Sequence, residues 1–291
     1  MTDTIRIVNP KNMTETQPNA SSPPYEDLYI YLIKGLLRQD DEALLGNDFL
    51  GNWVEEGSSF LFFSRPSRGR ITRLLAARPG LELDDEFHFA YEDWQGGGID
   101  PVTIDPFLIV PPWLERGPRQ GLMTILLDPG MVFGNCHHPT TQACLKALSL
   151  VARKTPLRRV LDLGTGTGIL ALAAARLGAR KVLAVDLNPL CVKTAARNVE
   201  LNGLTGIIHL FEARAEDVAD DPADLIVANI HYEVIQQLLE QNAFNGAANL
   251  IISGLMRSQY RDIAMRLKQS GFHPVHEWDH DMTWYTVLAG R

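Results

Sequence analysis

A chain of 291 residues with 45% hydrophobic content is long enough to bury one large core or two modest ones. Its formal net charge of −8 disfavours wide contact with a phosphate backbone, so direct binding of nucleic acid is not expected. Three cysteines without a disulfide pattern, and no apolar run near the roughly 20 residues of a membrane helix, predict a cytoplasmic protein without a membrane role.

The N-terminal third divides into a tail and a small domain. Residues 1–24 are polar and contain four prolines, which predicts a flexible tail. Residues 25–92 combine short apolar runs with one amphipathic helix and predict a small α+β domain. The expected strands are at 29–33, 49–54, 60–63 and 87–91, and the expected helix is at 68–77.

The predicted helix lies in a strongly basic segment. Its five arginines have no acidic residue among them: Arg65, Arg68, Arg70, Arg73 and Arg78. Two interpretations are open, a solvated helix face or a docking patch for an acidic partner or RNA.

Residues 93–120 are rich in glycine and proline and predict a linker with at most one strand, at 104–110. Beyond it, through 121–291, strands and helices alternate. The expected strands are 159–163, 182–186, 207–211, 224–229, 249–253, 275–278 and 284–288, and the expected helices are 139–153, 169–177, 189–202, 234–241 and 260–269. This alternation predicts a doubly wound α/β fold in which ligands bind beyond the carboxyl ends of the parallel strands.

The first strand of this region runs into a glycine-rich turn. Gly164, Gly166 and Gly168 permit a sharp bend and close backbone approach to a ligand, and Asp186 ends the following strand. Ile169 stands where a dinucleotide-binding turn would have its third glycine. The spacing therefore resembles that of class I S-adenosylmethionine-dependent methyltransferases, although a nicotinamide site or a merely structural turn stays open.

Further segments are similar to the PrmA-type methyltransferases, which methylate amines of ribosomal protein L-eleven. They are residues 92–94, 127–141 and 224–230, and the resemblance covers about 92–291. It implies a seven-stranded, Rossmann-like methyltransferase domain at 121–291 that binds S-adenosylmethionine. It also implies a ferredoxin-like substrate-recognition domain at 25–92, abbreviated here because 35–48 holds only a short helix near 41–45.

The same resemblance places the cofactor on Thr141, Gly164, Asp186 and Asn229. Asp162, Gly166 and Gly168 are further candidate cofactor-binding residues. Physical chemistry supports each of the four roles, and Gly164 permits close backbone approach. Thr141 falls in the first turn of a helix, where free amides and the helix dipole favour a carboxylate, and Asp186 can accept ribose hydroxyls. Asn229 offers a donor and an acceptor beside the sulfonium and the nucleophile.

An amine acceptor must reach the methyl group uncharged, although the lysine side chain has a pKa of about 10.4 in water. An apolar, partly closed site would lower that pKa. Phe133 and Tyr232 are the candidate walls, and His138 or His231 could pass a proton to solvent. Each histidine could equally be a structural hydrogen-bonding residue.

The family's usual loop FGTGTHPTT is altered, because Asn135, Cys136 and His137 replace Thr-Gly-Thr. The family's pocket shape therefore does not carry over directly. A zinc site formed by Cys136, His137, His138 and Cys144 is disfavoured, since adjacent residues seldom converge on one ion, and no metal is expected.

Several acceptors remain open besides a ribosomal protein. The segment from Asn229 to Tyr232 keeps the ends of the N-P-P-Y/F motif that acts on planar nitrogens of nucleobases or glutamine, but it lacks both prolines. A small-molecule acceptor is equally compatible with these residues. A protein that binds the cofactor without transferring its methyl group is compatible with them as well.

Overall fold

The computed structural model describes residues 6–7, 23–97, 100–114, 117 and 119–291. Only four residues of the predicted tail belong to this set, so the flexibility expected of residues 1–24 lies outside the described residues. The chain divides into two compact units. The small unit comprises the described part of residues 17–99 with Asn188–Leu190, and the large unit comprises the remainder. Within the described chain, no helix has the length and apolar content needed to span a membrane.

A two-residue strand, Arg6–Ile7 (β1), belongs to the large unit, and four longer strands form the sheet of the small unit. These four are β2 Asp27–Lys34, β3 Phe49–Glu55, β4 Ser58–Phe63 and β5 Glu82–Ala90. The sheet is antiparallel with the order β3-β4-β2-β5, which is the ferredoxin-like order. A 3-10 helix at Gln39–Leu44 stands in place of the first crossover helix, so the predicted abbreviation of this module matches its topology.

One full helix, α1 at Arg68–Ala77, packs on this sheet, and a single turn, α2 at Tyr91–Trp94, follows β5. The apolar face of α1 contributes Ile71 and Leu74 to a core that includes strand residues such as Tyr31 and Phe63. The 3.6-residue spacing of apolar side chains explains why this helix has the bounds that the sequence predicts.

The arginines around α1 are neutralised by carboxylates from distant parts of the small unit. The observed pairs are Arg70 with Asp48 at 2.8 Å, Arg78 with Asp41 at 2.5 Å, Arg65 with Asp48 at 4.0 Å, and Arg68 with Glu86. Four of the five positive charges therefore have a partner inside the unit. This pairing favours the solvated helix face over a cationic docking patch.

The segment predicted as a linker contributes to the core of the large unit. Val102–Ile104 (β6), Phe107–Val110 (β7) and Met123–Leu126 (β8) form a three-stranded sheet in which β7 and β8 run parallel. All four residues of β7 are buried, so this run behaves as a core strand rather than as an extended connection. The sequence does not predict β8.

A second, larger sheet dominates this unit. Its strands are β9 Arg159–Leu163, β10 Lys181–Asp186, β11 Ile208–Glu212, β12 Ala223–Asn229, β13 Ala247–Met256, β14 His273–His280 and β15 Trp284–Gly290. The order is β1-β11-β10-β9-β12-β13-β15-β14, with β15 antiparallel to both neighbours. The seven predicted strands are all present, and β1 adds an eighth at the edge beside β11.

Five helices cover the two faces of this sheet. They are α3 Pro139–Lys154, α4 Ile169–Arg176, α5 Pro189–Leu201, α6 Tyr232–Glu240 and α7 Arg257–Gln269. Side chains of α3, α4 and α5 share one apolar cluster, and those of α6 and α7 share another. The doubly wound α/β fold is thereby confirmed. The strand order reverses between β9 and β12, and such a switch point opens a crevice at the carboxyl ends of the strands.

Candidate functional site

The glycine-rich turn connects β9 to α4 at this crevice. Gly164, Gly166 and Gly168 have φ values of 72°, 54° and 84°, a region that favours glycine. A Cβ on Gly164 would lie 2.1 Å from Ile230 Cγ2, and one on Gly166 would lie 2.5 Å from the Phe133 carbonyl oxygen. The first two glycines are therefore required by the packing of the protein's own loops, in addition to any approach of a ligand.

Asp186 ends β10 beside this turn. Its Oδ2 accepts a hydrogen bond from the Gly166 amide at 3.0 Å. The carbonyl of Val185 accepts from the amides of Gly164 and Thr165, both at 2.9 Å. Asp186 thus fixes the turn against β10 while its half-buried carboxylate lies at the crevice, as the sequence predicts.

Two buried polar atoms near the turn lack a partner among the described residues. Asp162 Oδ2 accepts from Thr165 Oγ1 at 2.7 Å and from the Ala171 amide at 3.1 Å, whereas its Oδ1 has no partner. Burial raises the pKa of Asp162 to about 6. The Thr141 hydroxyl, in the first turn of α3, is also buried without a partner. A bound polar molecule could supply the missing partner of either atom.

His138 caps the N-terminus of α3. Its Nδ1 accepts from the Thr140 amide at 3.4 Å and lies 2.7 Å from Thr140 Oγ1, which indicates a neutral ring with its proton on Nε2. Burial, and to a lesser extent His280, lower the pKa of His138. The ring meets the rings of Phe133 and Trp284 edge-on at centroid distances of 5.3 and 5.0 Å.

Asn229, at the end of β12, is joined to the same turn of α3. Its Nδ2 donates to Thr140 Oγ1 at 3.4 Å. Ser253 of β13 lies 2.5 Å from the Thr286 hydroxyl and donates to the Thr140 carbonyl at 3.5 Å. Thr140 therefore makes hydrogen bonds with both His138 and Asn229, and Thr141 follows it directly in the chain.

Tyr232 makes a contact between two helices that the sequence does not predict, and His231 lies on the surface. The Tyr232 hydroxyl donates to Asp262 Oδ2 at 2.9 Å, and Arg266 Nε donates to the same oxygen at 2.7 Å. This network joins α6 to α7, so the tyrosine has a structural contact that its closeness to Asn229 in sequence does not reveal. His231 is exposed at the N-cap position of α6, and within the described chain its ring makes no hydrogen bond.

Asn198 of α5 is a buried structural position beside the candidate site that the sequence analysis missed. Its side chain is fully buried, and its Oδ1 accepts from the Asp128 amide at 2.8 Å. Its Nδ2 donates to the carbonyls of Asp128 at 2.8 Å and of Thr167 at 2.9 Å. Asn198 thereby fastens the loop before α3 to the glycine-rich turn. The signal for it was a polar residue on a helix face otherwise lined by alanine and valine.

The altered loop keeps a glycine-like backbone. Cys136 has φ of 70° and is completely buried, although non-glycine residues rarely adopt this conformation. Burial raises the pKa of its thiol to about 12, so the thiolate needed for a nucleophile or metal ligand is disfavoured at neutral pH. The Thr167 amide donates to the Phe133 carbonyl at 3.1 Å and its hydroxyl to the Gly134 carbonyl at 2.9 Å, which holds the loop on the glycine-rich turn.

Comparison with known proteins gives consistent matches over the large unit. The family model described as ribosomal protein L11 methyltransferase (PrmA) matches residues 88–291. A relative of that name from Clostridium botulinum is 39% identical over 204 residues, which are 68% of this chain and 64% of the relative. Another from Desulforamulus reducens is 36% identical over 221 residues, covering 72% of this chain and 71% of the relative.

The crystal structure of a ribosomal protein L11 methylase from Lactobacillus delbrueckii subsp. bulgaricus is also similar. It has a TM-score of 0.59 and 33% sequence identity, covering 66% of this chain and 98% of that chain. The chain thus spans 64% of the length of the Clostridium relative, and the matched part contains every residue of the candidate site. The chain belongs to the family of ribosomal protein L11 methyltransferases.

Proposed function

We propose that the protein is an S-adenosylmethionine-dependent methyltransferase that methylates amines, a lysine side chain or an N-terminus, of a protein such as ribosomal protein L11. Two matched relatives are named ribosomal protein L11 methyltransferase, and a similar solved structure is a ribosomal protein L11 methylase. The observation that carries the proposal is the convergence of the glycine-rich turn, Asp186, Thr141 and Asn229 at one switch point.

The residues at the switch point fit this cofactor. The unpartnered Thr141 hydroxyl and the first-turn amides of α3 suit its carboxylate. The unpartnered Asp162 Oδ1 suits its ammonium group, and Asp186 suits the ribose hydroxyls. When bound, S-adenosylmethionine supplies an electrophilic methyl group on its sulfonium.

The residues around His138 would bind and orient the acceptor. Phe133, His138 and Trp284 form an aromatic wall in which Phe133 is 51% exposed. Desolvation of the amine against this wall and the positive sulfonium of the bound cofactor would both favour its neutral form. The carbonyl oxygen of the Asn229 side chain can accept a hydrogen bond from the amine and so fix the direction of its lone pair. Holding the nucleophile in line accounts for much of the acceleration that such a transfer needs.

His138 serves this reaction as a positioning residue and as part of the wall. Because its Nδ1 is occupied by Thr140 and its Nε2 carries the proton, the neutral ring has no nitrogen free to accept a proton from the amine. The proton of the acceptor must therefore reach solvent by a route other than His138. His231 has the exposure that a proton carrier to solvent requires, and this role stays a prediction.

The proposal is tested with purified ribosomal protein L11 and methyl-labelled cofactor. We expect label on the protein and mass increases of whole methyl groups, and an Asp186→Ala variant with much reduced labelling. Labelling of an oligonucleotide, free glutamine or a cell metabolite instead would contradict the proposed acceptor. Cofactor binding without any labelled acceptor would favour a silent cofactor-binding protein.

A further inference from the structure

The large unit carries an open groove of about 540 Å³ that the proposed chemistry does not use. We call it the methionine–arginine groove. It is lined by Met256, Arg257, Ser258, Arg261, Met282 and Thr283. These residues come from the end of β13, the start of α7 and the turn between β14 and β15.

The two methionines of the groove are exposed, and Met282 adopts an unfavourable backbone conformation. Met256 and Met282 are 53% and 66% exposed. Asp281 and Met282 have φ of 51° and 55° in the turn of the hairpin, where glycine or asparagine is usual. A left-handed conformation costs an ordinary residue about 1–2 kcal/mol. The Met282 amide donates to Asp279 Oδ1 at 2.7 Å, which holds the turn and leaves the methionine side chain exposed at the groove.

The groove is also cationic within an acidic protein. Arg257 and Arg261 lie one turn apart on α7, both exposed, and within the described chain no carboxylate lies within 4.0 Å of either guanidinium. By contrast, Arg266 on the same helix pairs with Glu240 and Asp262. The hairpin that supplies Met282 also carries Asp279 and the exposed Asp281, which moderate this positive charge. Each guanidinium group can still donate hydrogen bonds to a carboxylate of a ligand.

Strand β13 and its neighbour β15 link the groove to the proposed acceptor site. A Cβ on Gly254 would lie 3.2 Å from Asn229 Oδ1, and Met256 is two residues further on, about 7 Å at the rise of a β-strand. Met256 pairs in register with Trp284, whose ring contacts His138. An extended chain whose amine lies at Asn229 would therefore place its neighbouring residues in the groove.

We propose that the methionine–arginine groove binds the segment of the acceptor protein that flanks the methylated amine, and selects apolar and acidic side chains two to four residues from it. Methionine side chains adapt to varied apolar partners, and the two guanidinium groups bind carboxylates in a fork geometry. This inference deepens the proposed function, on which it rests for the identity of the bound protein as a methyl acceptor.

The test measures peptide binding directly, so that it does not depend on methyl transfer. The probe is a fluorescein-labelled twelve-residue peptide with one lysine flanked within four positions by two leucines and two glutamates. A matched probe has glutamines in place of the glutamates. Fluorescence anisotropy is recorded for the full chain with cofactor, for Arg257→Glu/Arg261→Glu and for Met282→Gly. Arg180→Glu is the matched control, because Arg180 is exposed at the opposite end of the strands.

We expect the acidic probe to bind the unchanged protein and Arg180→Glu equally, and to bind the double variant at least about tenfold more weakly. The glutamine probe should lose a similar factor on the unchanged protein. Met282→Gly should weaken both probes several-fold while leaving the thermal unfolding midpoint equal or higher, since glycine suits the turn. Calorimetry should give the same cofactor affinity for all four proteins.

Equal binding of both probes, no binding of either, or an unchanged dissociation constant in the double variant would overturn the inference. Displacement of the acidic probe by a ten-nucleotide oligouridine at similar concentration would assign the arginines to RNA instead. If the probe binds as expected but neither it nor ribosomal protein L11 becomes methylated, the groove stands and the proposed methyl transfer fails.

Discussion

Replacing Asn198 with alanine tests how the loop before α3 is held on the glycine-rich turn. The change removes three hydrogen bonds and leaves the Asp128 amide, the Asp128 carbonyl and the Thr167 carbonyl without this partner in a buried site. At about 1 to 1.5 kcal/mol for each buried group, the loss is about 3 to 4.5 kcal/mol. Alanine returns about 0.6 kcal/mol through its higher helix propensity. We therefore expect the free energy of unfolding to fall by about 3 kcal/mol, a large part of the total for a domain.

Urea unfolding followed by circular dichroism measures this loss, and titration calorimetry measures the accompanying fall in cofactor affinity. Asn198→Asp separates hydrogen bonding from packing, because it keeps the side-chain volume but turns a carboxylate toward two carbonyl oxygens. It should destabilise at least as much as alanine. Asn47→Ala, at an exposed position of the small unit, is the control and should change stability by less than about 0.5 kcal/mol. A loss below about 1 kcal/mol for Asn198→Ala, or a fully stable Asn198→Asp variant, would refute the reasoning.

Three further changes test the site. Asp186→Ala should weaken cofactor binding by about 1 to 3 kcal/mol, and an unchanged calorimetric affinity would exclude a ribose contact. His138 has a lowered pKa in the folded protein, so its contribution to stability is complete above its ordinary pKa of about 6.5 and declines as the pH falls from there toward the folded value. His138→Asn, which keeps a capping acceptor, should remove this part of the pH dependence in unfolding measured between pH 5 and 7, and an identical profile would exclude His138 as its source. Tyr232→Phe should lower the free energy of unfolding by about 1 kcal/mol through loss of the bond to Asp262 and leave turnover near that of the unchanged protein, whereas a large fall in kcat at unchanged stability would return Tyr232 to the site.

Features that depend on local signals could be predicted from the sequence. The bounds of α1 and β9 match the expectation residue for residue. The periodicity of α1 and the apolar run of β9, which ends at a glycine, are both visible in residues that are close together in the sequence. The same applies to the three glycines, whose positive φ values follow from the sharp turn between β9 and α4. The central sheet and its switch point then follow from the alternation of strands and helices.

Features that depend on distant partners could not be predicted in this way. Strands β7 and β8 are four residues long each and are separated along the sequence, yet they pair with one another. Short apolar runs do not reveal such a pairing. The ion-pair partners of the arginines near α1 are Asp41, Asp48 and Glu86, which are remote from them along the chain. The pairing therefore could not be predicted from neighbouring residues. Tyr232 follows Asn229 by only three residues, yet the first turn of α6 directs its hydroxyl to α7.

The tight fit around the glycine-rich turn constrains how this protein can change through mutation. Ile230, which follows Asn229, and the backbone of Phe133 occupy the space that side chains at Gly164 and Gly166 would need. The left-handed φ of 72° strains any side chain at position 164, whatever residue stands at position 230. No side-chain substitution can relieve the clash of a Cβ at position 166 with a backbone carbonyl. The loops that carry Asn229 and Phe133 therefore restrict which substitutions the cofactor turn can accept.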